Sequence, residues 1–361
     1  MKRLFVLLVG ILLLLALAAC GKDTPTETTH THNYATTVTA STCIEKGYTT
    51  YTCACGDSYT TYTADETEII HHSYQETGRV DATVVEDGKV TYTCSVCSDS
   101  YEEMLPATGS VGLEYEANSD GTYTVVGIGT YADEHVVIPK VYQGAAVTSI
   151  GEDAFTNCSS LTSITIPDSV TSIGEDAFYG CSSLTSITIP DSVTSIGDAA
   201  FYDCSSLTSI EIPDSVTSIG WFTFYDCSSL TSITIPDGVT SIGDWAFHNC
   251  SSLTSVTIGN GVTNIGESAF DGCSSLTSIE IPDSVTIISN QAFDGCSSLT
   301  SIVIPDSVTS IGSWAFGYCS SLTDIHFGGT KEQWNAIKKL GSWDYGTGKY
   351  TVHCTDGDIS K

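Results

Sequence analysis

Basic residues are scarce in this chain of 361 residues: Lys and Arg together number 12, against 43 Asp and Glu, which gives a formal net charge of −31. A surface of this sign repels phosphate backbones, which excludes nucleic-acid binding through a basic face. Only 15% of residues are charged and 41% are hydrophobic, so the chain is not a disordered acidic tail. Methionine is nearly absent while Gly, Ser and Thr are abundant, which favours stacked β-structure over helix bundles.

Long apolar runs are also missing, apart from one at the start. That run covers residues 4–19, follows Lys2 and Arg3, and is shorter than the about 20 residues that a bilayer span needs. This pattern is typical of a secretory signal peptide. The run ends in Leu17-Ala18-Ala19-Cys20-Gly21, which resembles the lipobox of bacterial lipoproteins.

The lipobox resemblance implies a signal peptide over residues 1–19 and a diacylated Cys20 as the first residue of the mature chain. It implies an exported protein on the bacterial cell surface, held to a membrane by its acyl chains. The alternative is an ordinary signal peptide with an incidental cysteine. Residues 20–31 are polar and rich in Thr, which predicts a flexible tether.

Two short segments, residues 32–66 and 67–106, repeat each other at an offset near 40. Alternating Tyr and Thr predict strands, so each segment is expected to be a small β module. Together the modules offer seven His and Cys side chains as candidate zinc ligands: His32, Cys43, Cys53, Cys55, His72, Cys94 and Cys97.

Zinc competes with disulfides in these modules. One His with three thiolates suits tetrahedral zinc, and small modules benefit from a metal that stabilises them. However, Val84 stands where the first copy has Cys43. An oxidising exterior favours a disulfide, for example between Cys43 and Cys53, or a degenerate remnant of a metal site. The sequence slightly favours the second interpretation.

The rest of the chain is dominated by a repeat of 23 residues. The cysteines mark the period: Cys158, Cys181, Cys204, Cys227, Cys250, Cys273, Cys296 and Cys319. Ile and Leu recur with L-x-x-I-x-I spacing, which is the pattern of a leucine-rich repeat. The first repeat carries a five-residue insertion between Pro139 and Gly151.

The repeated motif I-P-x-S-V-T-S-I-G-x-x-A-F-x-x-C-S-S-L-T-S-I resembles the BspA-like (treponemal-type) leucine-rich repeats of bacterial surface proteins. The resemblance covers residues 138–326, in eight units, with cap strands over 107–137 and a cap over 327–361. It implies a β-rich solenoid and a non-catalytic, adhesion-type role. Within the last cap, Glu332 to Leu340 has helical spacing.

In one unit we expect Leu207, Ile210 and Ile212 to point inward from a short strand, with Phe224 filling the core from the opposite side. Each cysteine occupies the same place in its repeat, so neighbouring Cα–Cβ vectors are parallel, which opposes a disulfide. The eight cysteines are therefore expected to form a ladder of buried, reduced thiols.

The Pro-Asp turns place a carboxylate on one edge of most repeats: Asp168, Asp191, Asp214, Asp237, Asp283 and Asp306. Calcium could bridge such a row, but turn-capping carboxylates facing water explain it more simply. Asn260 interrupts the row.

Aromatic side chains vary between the repeats and are the candidate ligand-binding residues: Trp221, Phe222, Tyr225, Trp245, His248 and Trp314. Partly exposed aromatics are typical of binding hot spots, although they could simply cover one side of the solenoid. No catalytic constellation is found in the sequence, so no enzyme activity and no cofactor are expected. The hypotheses are a surface protein that binds an extracellular protein or glycan, and a passive spacer without a ligand.

Overall fold

The computed structural model describes residues 34–39, 48–53, 58–61, 72–84, 86–105, 107–130 and 134–361. The predicted signal peptide with Cys20, the tether, His32, Cys43 and Cys55 lie outside these residues. Within the described ranges, no helix is long and apolar enough to cross a bilayer. The described residues divide into two compact units: those up to residue 75 with 93–99, and 76–92 with those from 100 onward.

Two three-stranded sheets lie where alternating Tyr and Thr predicted strands. The first contains β1 (Tyr34–Thr39), β2 (Tyr48–Cys53) and β3 (Ser58–Thr61), paired antiparallel in that order. The second contains β4 (Tyr74–Val80), β5 (Gly88–Cys94) and β6 (Ser100–Leu105), also in chain order. Most side chains of β4 and β6 are exposed, so the second sheet buries little apolar surface.

The segment before the repeats and the start of the first repeat together contain five strands. In chain order they are β7 (Glu114–Ala117), β8 (Tyr123–Gly127), β9 (His135–Val137), β10 (Val141–Tyr142) and β11 (Ala145–Ile150). Strand β8 runs parallel to β11, so it begins the stack. The inserted residues of the first repeat form a hairpin of β10 and β11, which turns at Gln143 and Gly144, both at positive φ. The sequence located this insertion but not its conformation.

The repeats form short strands that recur along the solenoid. In chain order they are β12 (Ser163–Thr165), β13 (Ser172–Ile173), β14 (Ser186–Thr188), β15 (Ser195–Ile196), β16 (Ser209–Glu211), β17 (Ser232–Ile235), β18 (Ser241–Ile242), β19 (Ser255–Ile258), β20 (Asn264–Ile265), β21 (Ser278–Glu280), β22 (Ile287–Ile288), β23 (Ser301–Ile304), β24 (Ser310–Ile311) and β25 (Asp324–Phe327). Pairing is parallel and joins equivalent residues of successive repeats, such as Ile187 and Ile210. The chain is therefore the β-solenoid that its period predicts.

One continuous core runs through the stack. Leu207, Ile210 and Ile212 are buried beneath their strand, and Phe224 is fully buried, as the sequence predicts. The phenylalanines of successive repeats stack nearly parallel from Phe155 to Phe316, with ring centroids 5.2–5.5 Å apart. Because each ring touches the next, a repeat buries its apolar residues only with its neighbours in place.

The repeat cysteines lie beside this phenylalanine column. From Cys181 to Cys319 they are buried, and none forms a disulfide. Each of these Sγ atoms donates to the carbonyl oxygen of the phenylalanine in the preceding repeat, at 3.1–3.2 Å. Cys158 begins the ladder and is only half-buried.

Glycine is required where one repeat passes close to the next. A Cβ atom at Gly243 would lie 2.5 Å from the backbone of Gly220. Ser289 holds the equivalent place in one repeat, where its Oγ donates to the carbonyl of Ile265 at 2.6 Å. A side chain at this position is therefore tolerated when it bonds to the preceding turn.

The last repeat is covered by α1 (Lys331–Ala336), β26 (Lys338–Lys339), β27 (Thr351–Cys354) and β28 (Gly357–Ser360). Thr330 caps the helix in a capping box with Gln333. The prediction of a helix as far as Leu340 is wrong. The helix ends at Ala336, because Lys338 and Lys339 pair instead with β24 and extend the ladder of short strands.

Candidate functional site

Each repeat turns through two residues in the left-handed backbone region. The second position carries mainly Asn, Asp or Gly, which accept this conformation: Asn157, Gly180, Asp203, Asp226, Asn249, Gly272, Gly295 and Tyr318. The first position is more varied: Asp153, Asp176, Ala199, Phe222, Trp245, Ser268, Gln291 and Trp314. Large aromatic side chains therefore stand at a backbone position that disfavours them.

Six aromatic side chains from consecutive repeats form a cluster that we call the aromatic ladder: Tyr179, Tyr202, Tyr225, His248, Phe222 and Trp245. Tyr179, Tyr202, Tyr225 and His248 stack in one column, with successive ring centroids 4.6 Å apart. Phe222 and Trp245 stack beside this column at 5.1 Å with an interplanar angle of 4°. All six side chains are half-buried. The spacing follows the rise of the strands, about 4.8 Å per repeat.

Carboxylates continue the ladder column into the next repeats. His248 Nδ1 lies 3.4 Å from Asp271 Oδ2, and Asp294 follows Asp271 in the equivalent place. Burial and the charge of Asp271 raise the pKa of Asp294. Among the described residues, His248 Nδ1 and Asp294 Oδ1 are the buried side-chain polar atoms without a hydrogen-bond partner. An unsatisfied nitrogen of His248 therefore ends the tyrosine column of the aromatic ladder, and an unsatisfied oxygen of Asp294 lies two repeats beyond it.

The hydroxyls of Tyr202 and Tyr225 stay protonated at neutral pH. Burial, together with the neighbouring Tyr225 and Tyr179, raises the pKa of Tyr202 to about 12. Burial and the charge of Asp226 raise the pKa of Tyr225 as well. Each hydroxyl thus remains both a donor and an acceptor.

The structure does not bring all six predicted ligand-binding residues together. Phe222, Tyr225, Trp245 and His248 lie in the ladder. Trp314 lies three repeats further along, 4.8 Å from Tyr345 and 5.8 Å from Tyr318.

Trp221 belongs to neither cluster; its side chain is 59% exposed, and its backbone N–H donates to Asp198 Oδ1 at 2.8 Å. Tyr345 was missed because it lies beyond the periodic sequence, where spacing gives no signal.

Two carboxylates of the Pro-Asp turns bind nearby residues of the chain. Asp237 Oδ1 accepts the N–H of Asn260 at 2.7 Å, and Asp168 pairs with Lys140 at 2.9 Å. Within the described ranges, no three of these carboxylates bring oxygens within 4.8 Å of one another. A calcium site on this edge therefore gains no support from the geometry.

Of the seven candidate zinc ligands, the structure brings three together. His72, Cys94 and Cys97 place one ligand atom each within 4.8 Å of one another. Backbone N–H groups of Cys97 and Val96, in that order of effect, lower the pKa of Cys94 to about 5. Cys53 is buried in β2, and the other members of its module lie outside the described residues.

Comparison with known proteins agrees with the repeat architecture. The profile described as "BspA type Leucine rich repeat region (6 copies)" matches residues 128–253 and 217–338. The chain belongs to the BspA-type leucine-rich-repeat family. Together the two matches take in every BspA-type repeat that the sequence delimits.

Several solved structures are similar to the BspA-type repeats. A T. pallidum leucine-rich repeat protein is 28% identical, over 60% of this chain and 90% of its own, with a TM-score of 0.46. A leucine-rich cell surface protein of Faecalibacterium prausnitzii is 26% identical, over 67% of this chain and 99% of its own, with a TM-score of 0.36. A leucine-rich repeat protein of Eubacterium ventriosum is 21% identical, over 69% and 98%, with a TM-score of 0.36. No curated protein matches the chain.

Proposed function

We propose that this protein is a non-catalytic bacterial surface lipoprotein whose solenoid binds a partner protein through the aromatic ladder. The observation that carries the proposal is the pair of Phe222 and Trp245, both at φ 55°. A side chain in this region costs about 1–2 kcal/mol of backbone strain. Ala199 and Ser268 hold the equivalent place in adjoining repeats, so the core does not need large rings there. Strain at a half-exposed aromatic pair supports a role in binding.

The stacking favours a protein partner over a glycan. Sugars stack on open ring faces, but in the ladder both faces of Tyr202 and Tyr225 and one face of Phe222 are covered by neighbouring rings. The ladder offers ring edges, which carry partial positive charge, and tyrosine hydroxyls. These groups suit the carbonyl and apolar groups of a polypeptide.

The surrounding charge favours a basic partner. Between residues 138 and 326 Lys140 is the only basic residue, and Asp203, Asp226 and Asp271 flank the ladder. Lys and Arg side chains of a partner would pair with these carboxylates. Such exposed pairs are screened by salt, so binding should weaken as ionic strength rises.

The surface location rests on the sequence of the first residues. The lipobox-like Leu17-Ala18-Ala19-Cys20-Gly21 supports acylation of Cys20. Metabolic labelling with a fatty-acid analogue should mark the parent chain and leave Cys20→Ala unlabelled and released from the membrane. Labelling that persists in Cys20→Ala contradicts lipidation at this residue.

The binding test uses replacements that the protein itself carries at equivalent places. The full chain, its Phe222→Ala/Trp245→Ser variant and a Trp314→Ser variant are screened against extracellular proteins and a glycan array. We expect binding to a basic protein that falls at least about tenfold in the double variant, since buried aromatic anchors dominate interfaces. Trp314→Ser is the matched control, because it removes an aromatic from the same left-handed position outside the ladder.

Three results would contradict the proposal. Binding lost only in Trp314→Ser would move the site to the cluster at the end of the repeats. Binding to glycans alone would favour the glycan alternative. Binding to neither class would favour the passive spacer.

A further inference from the structure

We propose that His72, Cys94 and Cys97 form a zinc site at the turn that follows β5. Their ligand atoms lie within 4.8 Å of one another, and Cys97 Sγ lies 3.3 Å from His72 Nδ1. With Zn–S bonds of about 2.3 Å and Zn–N bonds of about 2.0 Å, tetrahedral ligand atoms lie about 3.5 Å apart. A metal ion therefore needs only a small contraction of this cluster.

The turn is built around the first sulfur. The N–H of Cys94 donates to the carbonyl of Asp99 at 2.7 Å, and the N–H of Ser98 donates to the carbonyl of Cys94 at 3.0 Å. Between these bonds, the N–H groups of Val96 and Cys97 point at Cys94 Sγ. Such donors stabilise a thiolate, which is the form that binds a metal.

Another backbone hydrogen bond connects this turn to the segment that carries His72. The N–H of Ser95 donates to the carbonyl of Ser73 at 3.1 Å, which places His72 next to the two thiols. The His72 ring stacks on Tyr74 with centroids 5.2 Å apart. The Tyr74 hydroxyl donates to Asp99 Oδ2 at 2.6 Å, and this oxygen lies 4.0 Å from His72 Nδ1. These contacts hold the His72 ring beside the turn that carries Cys94 and Cys97.

Burial leaves one side of the site open. Cys94 is 1% exposed and Cys97 is half-buried, while His72 is exposed. The described residues would supply three ligands, and the exposure of His72 leaves a fourth position open. Two thiolates and an imidazole select zinc over calcium or magnesium, which prefer oxygen ligands.

The sequence slightly favoured a disulfide or a degenerate remnant over zinc in the modules, but the geometry of this turn supports zinc. Cys94 and Cys97 form no disulfide in the structure. A Cys94–Cys97 disulfide would explain neither the position of His72 nor the N–H groups around Cys94 Sγ. A metal also explains how a sheet with little buried apolar surface is held together, since metal-binding energy contributes directly to folding.

The test measures metal in the full chain purified under reducing conditions. Zinc content by mass spectrometry of the metal should fall by one equivalent per chain in Cys94→Ser and in Cys97→Ser. Cys354→Ser, which removes a half-buried cysteine of the last cap, is the matched control and should keep the parent's zinc. Substituted cobalt(II) should give the visible bands of a tetrahedral thiolate site, and His72→Gln should change them while keeping both thiols.

A second measurement needs no variant. In the parent, Cys94 and Cys97 should resist alkylation until a chelator removes the metal. Zinc content that is unchanged in the Cys94 and Cys97 variants would overturn the proposal. So would a Cys94–Cys97 disulfide found by peptide mass in the protein isolated without reductant, or copper retained in place of zinc.

Discussion

The repeat cysteines and Cys94 present the same side chain to opposite surroundings. In the repeats, Cys250 donates to the carbonyl of Phe224 at 3.2 Å, and burial raises its pKa well above the usual value. At the turn after β5, the sulfur of Cys94 faces N–H groups instead, and its pKa falls to about 5. Both side chains are buried, so burial alone does not decide their charge.

Burial favours the protonated thiol in the repeats, whereas at Cys94 the facing N–H groups oppose burial and lower the pKa. A sulfur that meets a carbonyl oxygen keeps its proton and packs as a small apolar group. A sulfur that meets N–H groups becomes a thiolate and a potential metal ligand. One chain therefore holds cysteines of two chemical kinds, which its composition does not reveal.

The largest expected effect comes from placing a fixed negative charge in both surroundings. Cys250→Asp puts a carboxylate against carbonyl oxygens in the core and should destabilise the repeats by about 3–5 kcal/mol. Cys94→Asp puts the same carboxylate among N–H donors, so we expect a loss of less than about 1 kcal/mol. Hydrogen exchange of the metal-free protein, followed at each segment, measures both.

Cys250→Ser is the control, because it keeps a donor toward Phe224 without adding charge. Equal costs for the two Asp variants would show that the backbone dipoles around the sulfur are unimportant.

The fold was predictable because the repeat is redundant. Every inward position recurs at the same offset, so errors at one residue are corrected by the others. Features that depart from the period were not predicted from the sequence. They are the hairpin at Val141 and Tyr142 and the end of the helix at Ala336. Both depend on pairing with neighbouring strands, and local propensity does not report such pairing.

The candidate sites were predictable in part. Sequence selected Phe222 and Trp245 by their variation, but the left-handed backbone that makes them unusual is not visible in single residues. His72, Cys94 and Cys97 were among the candidate ligands, whereas Tyr74 and Asp99 were not. These two residues recur in both modules, as Tyr34 and Asp57 in the first, so the duplication held a signal for them.

A smaller effect is expected from pH. A lowered pKa means that the folded turn holds the thiolate of Cys94. Its contribution to local stability is complete above the unfolded thiol value of about 8.5 and is lost as the pH falls through about 5. At pH 7 thiolate should exceed thiol at Cys94 by about 100-fold.

Ultraviolet thiolate absorbance of the metal-free chain should therefore show a step near pH 5. Cys94→Ser should remove this step and Cys250→Ser should leave it. A step that persists in Cys94→Ser would assign the thiolate to another cysteine.

The smallest expected effect concerns His353, an imidazole beyond the last repeat whose charge should also depend on the groups that face it. His353 Nε2 lies 2.9 Å from Asp324 Oδ1 and Nδ1 lies 3.1 Å from Asp358 Oδ1, and these two carboxylates raise its pKa. The raised pKa stabilises β27 and β28 fully below about pH 6.5, and this contribution is lost as the pH rises through the folded value.

Because the His353 pairs are open to solvent, hydrogen exchange should report at most about a fivefold rise in local opening between about pH 6 and pH 9, after correction for the intrinsic rate. His353→Gln should abolish this pH dependence. His326→Gln is the matched control, because that ring stacks on His353 at 4.9 Å, and the pH dependence should remain. If the pH dependence survived in His353→Gln, the carboxylates of Asp324 and Asp358 would not be acting through the charge of His353. The effect of neighbouring hydrogen-bonding groups that we infer for the cysteines would then not extend to this imidazole.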